Sequence, residues 1–176
     1  MRLKKSEFEV LEALYRYRYL TNSQIGLLPI SVNHPQRVQA TSRALVNLGL
    51  VEKLVPPLSK MTAQPMNVEN MYCLKSRGLR ELAGMRGVPV ENLDYRCGGS
   101  ISGHDYFHRK MTVSFHILVD LALRGSPFMV DDWKSYFDRS NKMRNNSKHL
   151  IPDSLFSIAA REKPSDRVWY CLEVTR

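Results

Sequence analysis

Apolar residues near the N-terminus recur at intervals of three and four, which is the spacing of one helix face. The first such stripe consists of Phe8, Leu11, Leu14 and Tyr15. Ser6, followed three residues later by Glu9, predicts a capping box at the start of this first helix. Thr21 and Gln24 form a second capping box, which predicts a short helix that Pro29 ends.

A third helix is predicted from Asn33-His34-Pro35 to Gly49. Proline suits its first turn, where a missing N–H costs nothing, and glycine suits the position just past its end. Its apolar face consists of Val38, Thr41, Leu45 and Leu48. Its opposite face is polar and consists of Gln36, Arg37, Ala40, Arg43 and Asn47.

The pattern then changes to that of strands. Val51–Val55 and Met71–Leu74 are predicted to form an antiparallel pair, separated by a polar, proline-bearing loop from Pro56 to Asn70. Three helices followed by a long-tipped hairpin is the order of a winged helix-turn-helix. A trailing helix over Ser76–Ala83 and a linker rich in glycine follow, and we place the domain boundary near residue 100.

The polar face of the third helix suits DNA. Arginine hydrogen-bonds guanine, glutamine and asparagine hydrogen-bond adenine, and all of them can contact phosphates. We expect DNA contacts from Gln36, Arg37, Arg43 and Asn47, with Lys60 on the wing and Ser23 and Gln24 touching the backbone. Two alternatives stay open: the face is the solvated side of an ordinary surface helix, or the domain docks a protein.

The second half begins with a long predicted helix from Gly103 to about Arg124. Its expected core face is the stripe of Phe107, Met111, Phe115, Leu118 and Ala122. A short strand is predicted at Phe128–Val130, and a basic stretch from Trp133 to His149 follows. This stretch could clamp a phosphate backbone or form a solvated loop, and its basic residues include Arg139, Lys142, Arg144 and Lys148.

Two further strands each carry one carboxylate. The first runs from Asp153 to Ala160 and the second from Val168 to Thr175, with a turn at Arg161–Arg167 between them. An aspartate and a glutamate on adjacent strands supply the oxygen ligands that Mg²⁺ or Mn²⁺ needs for phosphodiester hydrolysis. We therefore predict that Asp153 and Glu173 are metal-binding and catalytic. An aspartate at a strand start is also commonly a turn or cap residue.

His104 is a further candidate for this chemistry. His104 and His108 are four residues apart and share one face of the predicted helix. We expect His104 to join the carboxylates or to contact the scissile phosphate, and helix capping and packing are the alternative roles.

Charge favours an anionic partner. The 176 residues contain 26 Lys and Arg against 17 Asp and Glu, a net charge of +9, with an isoelectric point near 9.6. Such a balance points to nucleic acid. The 3 cysteines form no CxxC pair, which favours a reducing cytoplasm over a disulfide framework. No apolar run is long enough to span a bilayer, so membrane insertion is not expected.

The chain resembles the replication-relaxation family, which includes the MobC-type relaxases of mobilizable plasmids. The residues that carry the resemblance are Arg18 to Ile25, Leu45 to Val51, Tyr72 to Gly78, His104-Asp105, Pro152-Asp153 and Leu172-Glu173-Val174. The resemblance implies an α+β protein, with a winged helix over residues 1–95 and a partial restriction-endonuclease-like α/β core over residues 101–176.

The same resemblance implies a function. The winged helix would bind double-stranded DNA at an origin of transfer or replication, with relaxosome or coupling proteins as further partners. The second half would nick one strand using Mg²⁺ or Mn²⁺ held by Asp153 and Glu173. Nucleases of this type carry a lysine two residues past the glutamate, where this chain has Thr175. We therefore expect either that the chain is the N-terminal fragment of a longer relaxase or that its site is completed from elsewhere. A non-catalytic origin-binding accessory protein and a winged-helix transcription regulator are the alternatives.

Overall fold

The computed structural model describes residues 3–57, 68–96, 98–137 and 152–174, with the side chains of residues 103 and 104 left out. The prediction of an α+β class is confirmed, since helices are combined with two antiparallel three-stranded sheets. The chain forms two compact units, Met1–Val113 and Ser114–Arg176. This division falls within one helix, and the predicted boundary near residue 100 stays a prediction.

The first unit is built from helices around a small sheet. Its elements are α1 (Lys5–Tyr17), β1 (Leu20–Thr21), α2 (Asn22–Leu27), α3 (Pro35–Asn47), β2 (Val51–Leu54), β3 (Met71–Leu74) and α4 (Ser76–Arg86). The strand order is β1-β3-β2, and both pairings are antiparallel. Fully buried aliphatic side chains fill the core, among them Leu11, Leu14, Leu20, Ile25, Leu45, Leu50, Met71 and Leu74. Strand β1 was not predicted, because a two-residue strand is too short to show an alternation of apolar and polar residues.

The starts of α1 and α2 show one wrong and one correct prediction. Helix α2 begins with the predicted box, since Gln24 N donates to Thr21 Oγ1 at 3.2 Å and Thr21 N donates to Gln24 Oε1 at 2.9 Å. Helix α1 begins earlier than predicted, because Glu7 accepts from the Lys4 backbone N–H at 2.7 Å. Glu9 instead accepts from the backbone N–H of Ser31 at 2.8 Å.

Both ends of α3 match the sequence prediction. Pro35 is its first residue, and Gly49 follows its end with a φ of 69°. Gly49 N donates to Val46 O at 2.9 Å, and Leu50 N donates to Leu45 O at 3.1 Å. These two bonds form a Schellman motif, which satisfies carbonyls that the helix end leaves open.

The segment predicted as a linker after residue 83 packs against the first unit. Helix α4 continues to Arg86, and a short 3-10 turn follows at Val90–Asn92. The buried hydroxyl of Tyr95 accepts from Leu74 N at 2.9 Å and donates to Arg18 O at 3.1 Å. The glycines therefore led us to predict a linker where the chain is in fact packed and hydrogen-bonded.

Helix α5 (Gly103–Ala122) turns a different face inward from the one predicted. The predicted core residues Met111, Phe115 and Leu118 are exposed. In the first unit, Tyr106 is buried instead, and its hydroxyl oxygen accepts a hydrogen bond from the Glu69 backbone N–H at 2.9 Å. Arg109 is buried as well, and it forms an ion pair with Asp105, which lies one helical turn earlier. Polar residues with local partners thus occupy positions that hydrophobic periodicity assigned to solvent.

The second unit is an antiparallel meander that follows the end of α5. Its strands are β4 (Phe128–Ser135), β5 (Ser154–Ala160) and β6 (Lys163–Leu172), in the order β4-β5-β6. On one face, Trp133, Phe156 and Tyr170 are opposite one another in the register and stack in a row. His116 extends the row by stacking on Trp133 at 3.8 Å between ring centroids. Strand β4 is longer than the predicted Phe128–Val130.

The β5–β6 connection also differs from prediction. Ala159 pairs with Arg167, but Ala160 pairs with Lys163, so the register shifts by residues 164–166. The predicted turn at residues 161–167 is therefore a tight turn at Arg161 and Glu162 followed by an irregular stretch of β6.

Candidate DNA-contacting helix and carboxylate pair

The polar face of α3 is exposed along its length. Gln36, Arg37, Arg43 and Asn47 are all exposed, while Val38, Ser42 and Leu45 are buried. The structure thus brings the four predicted DNA-contacting residues of α3 to one surface, and their role in DNA binding stays a prediction. Lys60, Arg139, Lys142, Arg144 and Lys148 lie outside the described residues.

A short hydrogen-bonded chain holds α3 against the rest of the first unit. Ser42 Oγ donates to Asn22 Oδ1 at 2.9 Å, and Asn22 Nδ2 donates to the Tyr72 hydroxyl at 3.4 Å. Burial raises the pKa of Tyr72 above its usual range, although the Asn22 hydrogen bond and the positive charge of Arg43 act in the opposite direction. Tyr72 is therefore a neutral anchor below the exposed face.

The start of α2 does not serve the role expected from sequence. Gln24 is buried, and besides its capping bonds its Nε2 donates to the Lys110 carbonyl oxygen at 2.9 Å. Ser23 is exposed, but its backbone N–H and hydroxyl both donate to Glu69 Oε1, at 3.1 and 2.8 Å. The expected backbone contact by Gln24 is wrong, because this side chain holds α2 in place.

The antiparallel register of the β5–β6 hairpin brings the two predicted metal ligands to the same end of the sheet. Ser154 pairs with Leu172, so Asp153 directly precedes β5 and Glu173 directly follows β6. Val174 N donates to Asp153 Oδ2 at 2.5 Å. The aspartate is buried and the glutamate is exposed. One carboxylate is thus held by the chain beside the other, which faces solvent.

The negative charges of Asp153 and Glu173 both act on the thiol of Cys171. Desolvation, then the negative charges of Glu173 and Asp153, raise the pKa of Cys171 above its usual range. Negative charges favour the neutral form of a neighbouring acid, so both carboxylates lie near the Cys171 thiol.

Asp153 and Glu173 are the two predicted metal ligands. Within the described ranges, no three His, Cys, Asp or Glu side chains lie together as a ligand group. Mg²⁺ is commonly held by only one or two carboxylates, with water and substrate phosphate supplying the other ligands. Binding of Mg²⁺ or Mn²⁺ by Asp153 and Glu173 stays a prediction. Thr175, at the position where a lysine was expected, lies outside the described residues.

His104 lies in the first turn of α5, which belongs to the first unit, whereas Asp153 and Glu173 belong to the second. The side chain of His104 is outside the described part. Its neighbour Asp105 pairs with Arg109. The catalytic role of His104 stays a prediction.

Sequence reasoning missed one aromatic group in the second unit. The side chain of Trp169 is 42% exposed, and two cations lie near its ring. One of them, Lys134, was assigned to a basic loop but lies in β4. The alternation of Arg167, Trp169 and Cys171 along one strand face was the signal that could have revealed this group.

Comparisons with known proteins give no match to a family model, a curated protein or a solved structure. In the described part of the chain, no helix is both long and apolar enough to cross a bilayer.

Proposed function

We propose that this chain is a plasmid mobilization relaxase, or the part of one that binds the origin and nicks it. In this proposal, α3 is the recognition helix of a winged helix-turn-helix, and Asp153 with Glu173 forms the acidic centre of a restriction-endonuclease-like half. The observation that carries the proposal is the hairpin register, which sets Asp153 beside Glu173.

The DNA-binding part of the proposal is supported by the first unit. Its element order from α1 to β3 and its strand order β1-β3-β2 are those expected of a winged helix. The exposed face of α3 offers Arg37 and Arg43 for phosphates or guanine edges and Gln36 and Asn47 for adenine edges. The net charge of +9 favours association with DNA of any sequence.

The hydrolytic part is supported by the second unit. Asp153 is fixed by the Val174 N–H, and Glu173 is exposed and free to meet a ligand from solvent. Mg²⁺ or Mn²⁺ bound there would neutralise charge on the scissile phosphate and lower the pKa of a water molecule. The role of the two side chains would be to hold the metal ion at a fixed point at the end of the hairpin.

A second candidate function is a non-catalytic origin-binding protein. It is favoured by the lack of a third ligand among the described residues and by Thr175 where nucleases of this type have lysine. In that case the second unit would only bind DNA or a partner.

A nicking assay on supercoiled origin plasmid with Mn²⁺ tests the proposal. Asp153→Ala and Glu173→Ala should each slow nicking at least about 100-fold, since even the outer-shell partners of metal ligands are worth about 10–100-fold. Asp166→Asn is the matched control, because Asp166 is an exposed carboxylate of the same hairpin that pairs with Lys163 at 2.7 Å. This variant should nick normally.

Calorimetric titration with Mn²⁺ gives a second readout that needs no turnover. The unaltered protein should bind Mn²⁺, and Asp153→Asn and Glu173→Gln should not. Origin binding without nicking or Mn²⁺ binding would favour the non-catalytic candidate, and nicking that survives both acid substitutions would reject the proposed centre.

A further inference from the structure

Trp169 lies on the face of β6 opposite to the aromatic row. Its neighbours Val168 and Tyr170 point to the other face, because successive strand residues alternate. The Arg167 guanidinium carbon is 5.5 Å from the centroid of the indole ring, and Lys134 Nζ is 5.7 Å from it. The exposed indole ring offers a large flat surface on which a planar ligand can stack.

Small residues on β5 make room for this arrangement. Trp169 is opposite Ser157 in the register, and Arg167 is opposite Ala159. Both β5 residues are buried. Long side chains from the flanking strands therefore extend over β5, and the surface of this face is formed by side chains of β4 and β6.

Each cation is also fixed by an aspartate. Arg167 Nη1 lies 2.9 Å from Asp131 Oδ2, and Lys134 Nζ lies 3.1 Å from Asp132 Oδ2. The two positive charges are thus balanced locally by two negative ones. A ligand would gain little from net charge here, and the indole ring is the principal group that this surface offers.

We propose that Trp169 is a stacking site for an unpaired base of single-stranded DNA. Aromatic side chains bind the bases of single strands by stacking, and this contact tolerates any base because every base has a π-face. The inference rests on the proposed function, because nicking and strand separation expose an unpaired strand at the origin. The stacking site would be a third DNA contact, in addition to the carboxylate pair and the exposed face of α3.

The position of Trp169 relates it to the carboxylate pair. Glu173 lies four residues further along the same extended segment, which corresponds to about 13 Å. At the stacked spacing of about 3.4 Å per nucleotide, this length is about four nucleotides. The base at Trp169 is therefore expected within about four nucleotides of the phosphate at Asp153 and Glu173.

Intrinsic fluorescence tests the contact directly. The chain has 2 tryptophans, so Trp133→Phe leaves Trp169 as the only one. Titration of this variant with a thymidine 12-mer, in EDTA to prevent cleavage, should give saturable quenching. A 12-mer with the same phosphates but abasic sugars should give none, because stacking requires the base.

Anisotropy of a labelled thymidine 12-mer measures affinity without altering Trp133. Trp169→Ala should weaken binding about tenfold, in the range of one lost stacking contact. Trp169→Phe should stay within about threefold of the unaltered protein, since phenylalanine keeps a stacking face. Val168→Ala, an exposed change on the opposite face of the same strand, should have no effect.

Equal quenching by the abasic 12-mer, or unchanged affinity in Trp169→Ala, would overturn the stacking site. That failure is distinguishable from failure of the proposed function, which is measured by Mn²⁺-dependent nicking of duplex plasmid in the Asp153 and Glu173 variants. Loss of single-strand affinity in Trp169→Ala with normal Mn²⁺ binding would support the stacking site independently of the metal ligands.

Discussion

At two glycines of α4, the effect of adding a Cβ atom differs because the surroundings differ. A Cβ built on Gly78 would lie 2.2 Å from the carbonyl oxygen of Leu50, whereas a Cβ on Gly84 would meet nothing within 4 Å. The Leu50 carbonyl also accepts from Lys75 N at 2.9 Å, so it cannot easily move aside. Gly78 is therefore required for close packing of α4, and Gly84 is not.

Gly78→Ala should lower the free energy of unfolding by about 1–3 kcal/mol, the usual cost of overpacking a close contact. Gly84→Ala should raise it by about 0.5–1 kcal/mol, because alanine loses less backbone entropy in a helix. Urea denaturation of both variants checks this. Equal effects at the two positions would show that helix propensity, rather than the Leu50 contact, governs this helix.

At the level of elements, prediction succeeded where the signal was local. The caps of α2 and α3 depend on neighbouring residues, and the strands β2 and β3 were found within one residue. The buried face of α5 was predicted wrongly, because periodicity identifies an apolar stripe but not the neighbour that will cover it. Arg109 takes an inward position only because Asp105 and the Tyr19 ring lie beside it.

The carboxylate pair shows the same division. Two strands with Asp153 and Glu173 near their ends could be predicted from residue types, but the alignment of the two acids follows only from the register of the hairpin. That register includes a shift at residues 164–166, which no local propensity indicates. The position of Trp169 beside Lys134 was likewise unpredictable, since it depends on β4 extending to Ser135.

Helix α3 carries the prediction that belongs to this scale. Arg37→Ala and Arg43→Ala should each weaken binding to origin duplex, by about 1–3 kcal/mol if the side chain contacts a base. A residue that contacts phosphate should instead reduce the slope of log affinity against log salt by about 1. Gel shifts at several salt concentrations distinguish the two cases.

Arg80→Ala is the charge-matched control for these variants, since Arg80 is exposed on α4 rather than α3. It should change duplex affinity less than either α3 variant. If all three arginines prove equivalent, binding reflects overall charge and α3 is not the recognition helix.

Within the first unit taken as a whole, Tyr95 joins segments that are far apart in the chain. Its hydroxyl links the end of α1 to β3, and its ring stacks on Tyr15 with a centroid separation of 5.9 Å. Burial raises the pKa of Tyr95 well above its usual range. The folded protein therefore keeps a proton that the unfolded chain releases above about pH 10.

Stability from this group is present below about pH 10 and is lost as the pH rises further, because only the unfolded chain ionises freely. Tyr95→Phe should cost about 1–3 kcal/mol at neutral pH, since the Leu74 N–H loses its acceptor. The cost should shrink above about pH 10, as measured by urea denaturation across that range. A cost that is constant with pH would show that ionisation of Tyr95 is not linked to unfolding.

The tight turn at Arg161 and Glu162 also has a kinetic consequence. Asp153 and Glu173 are joined through one hairpin, so their encounter requires closure of a short loop rather than a search across the whole chain. Hairpins form in about 1–10 μs, faster than most contacts between distant segments. The acidic pair is thus expected to come together early when the full-length chain refolds, before contacts between distant segments of the chain have formed.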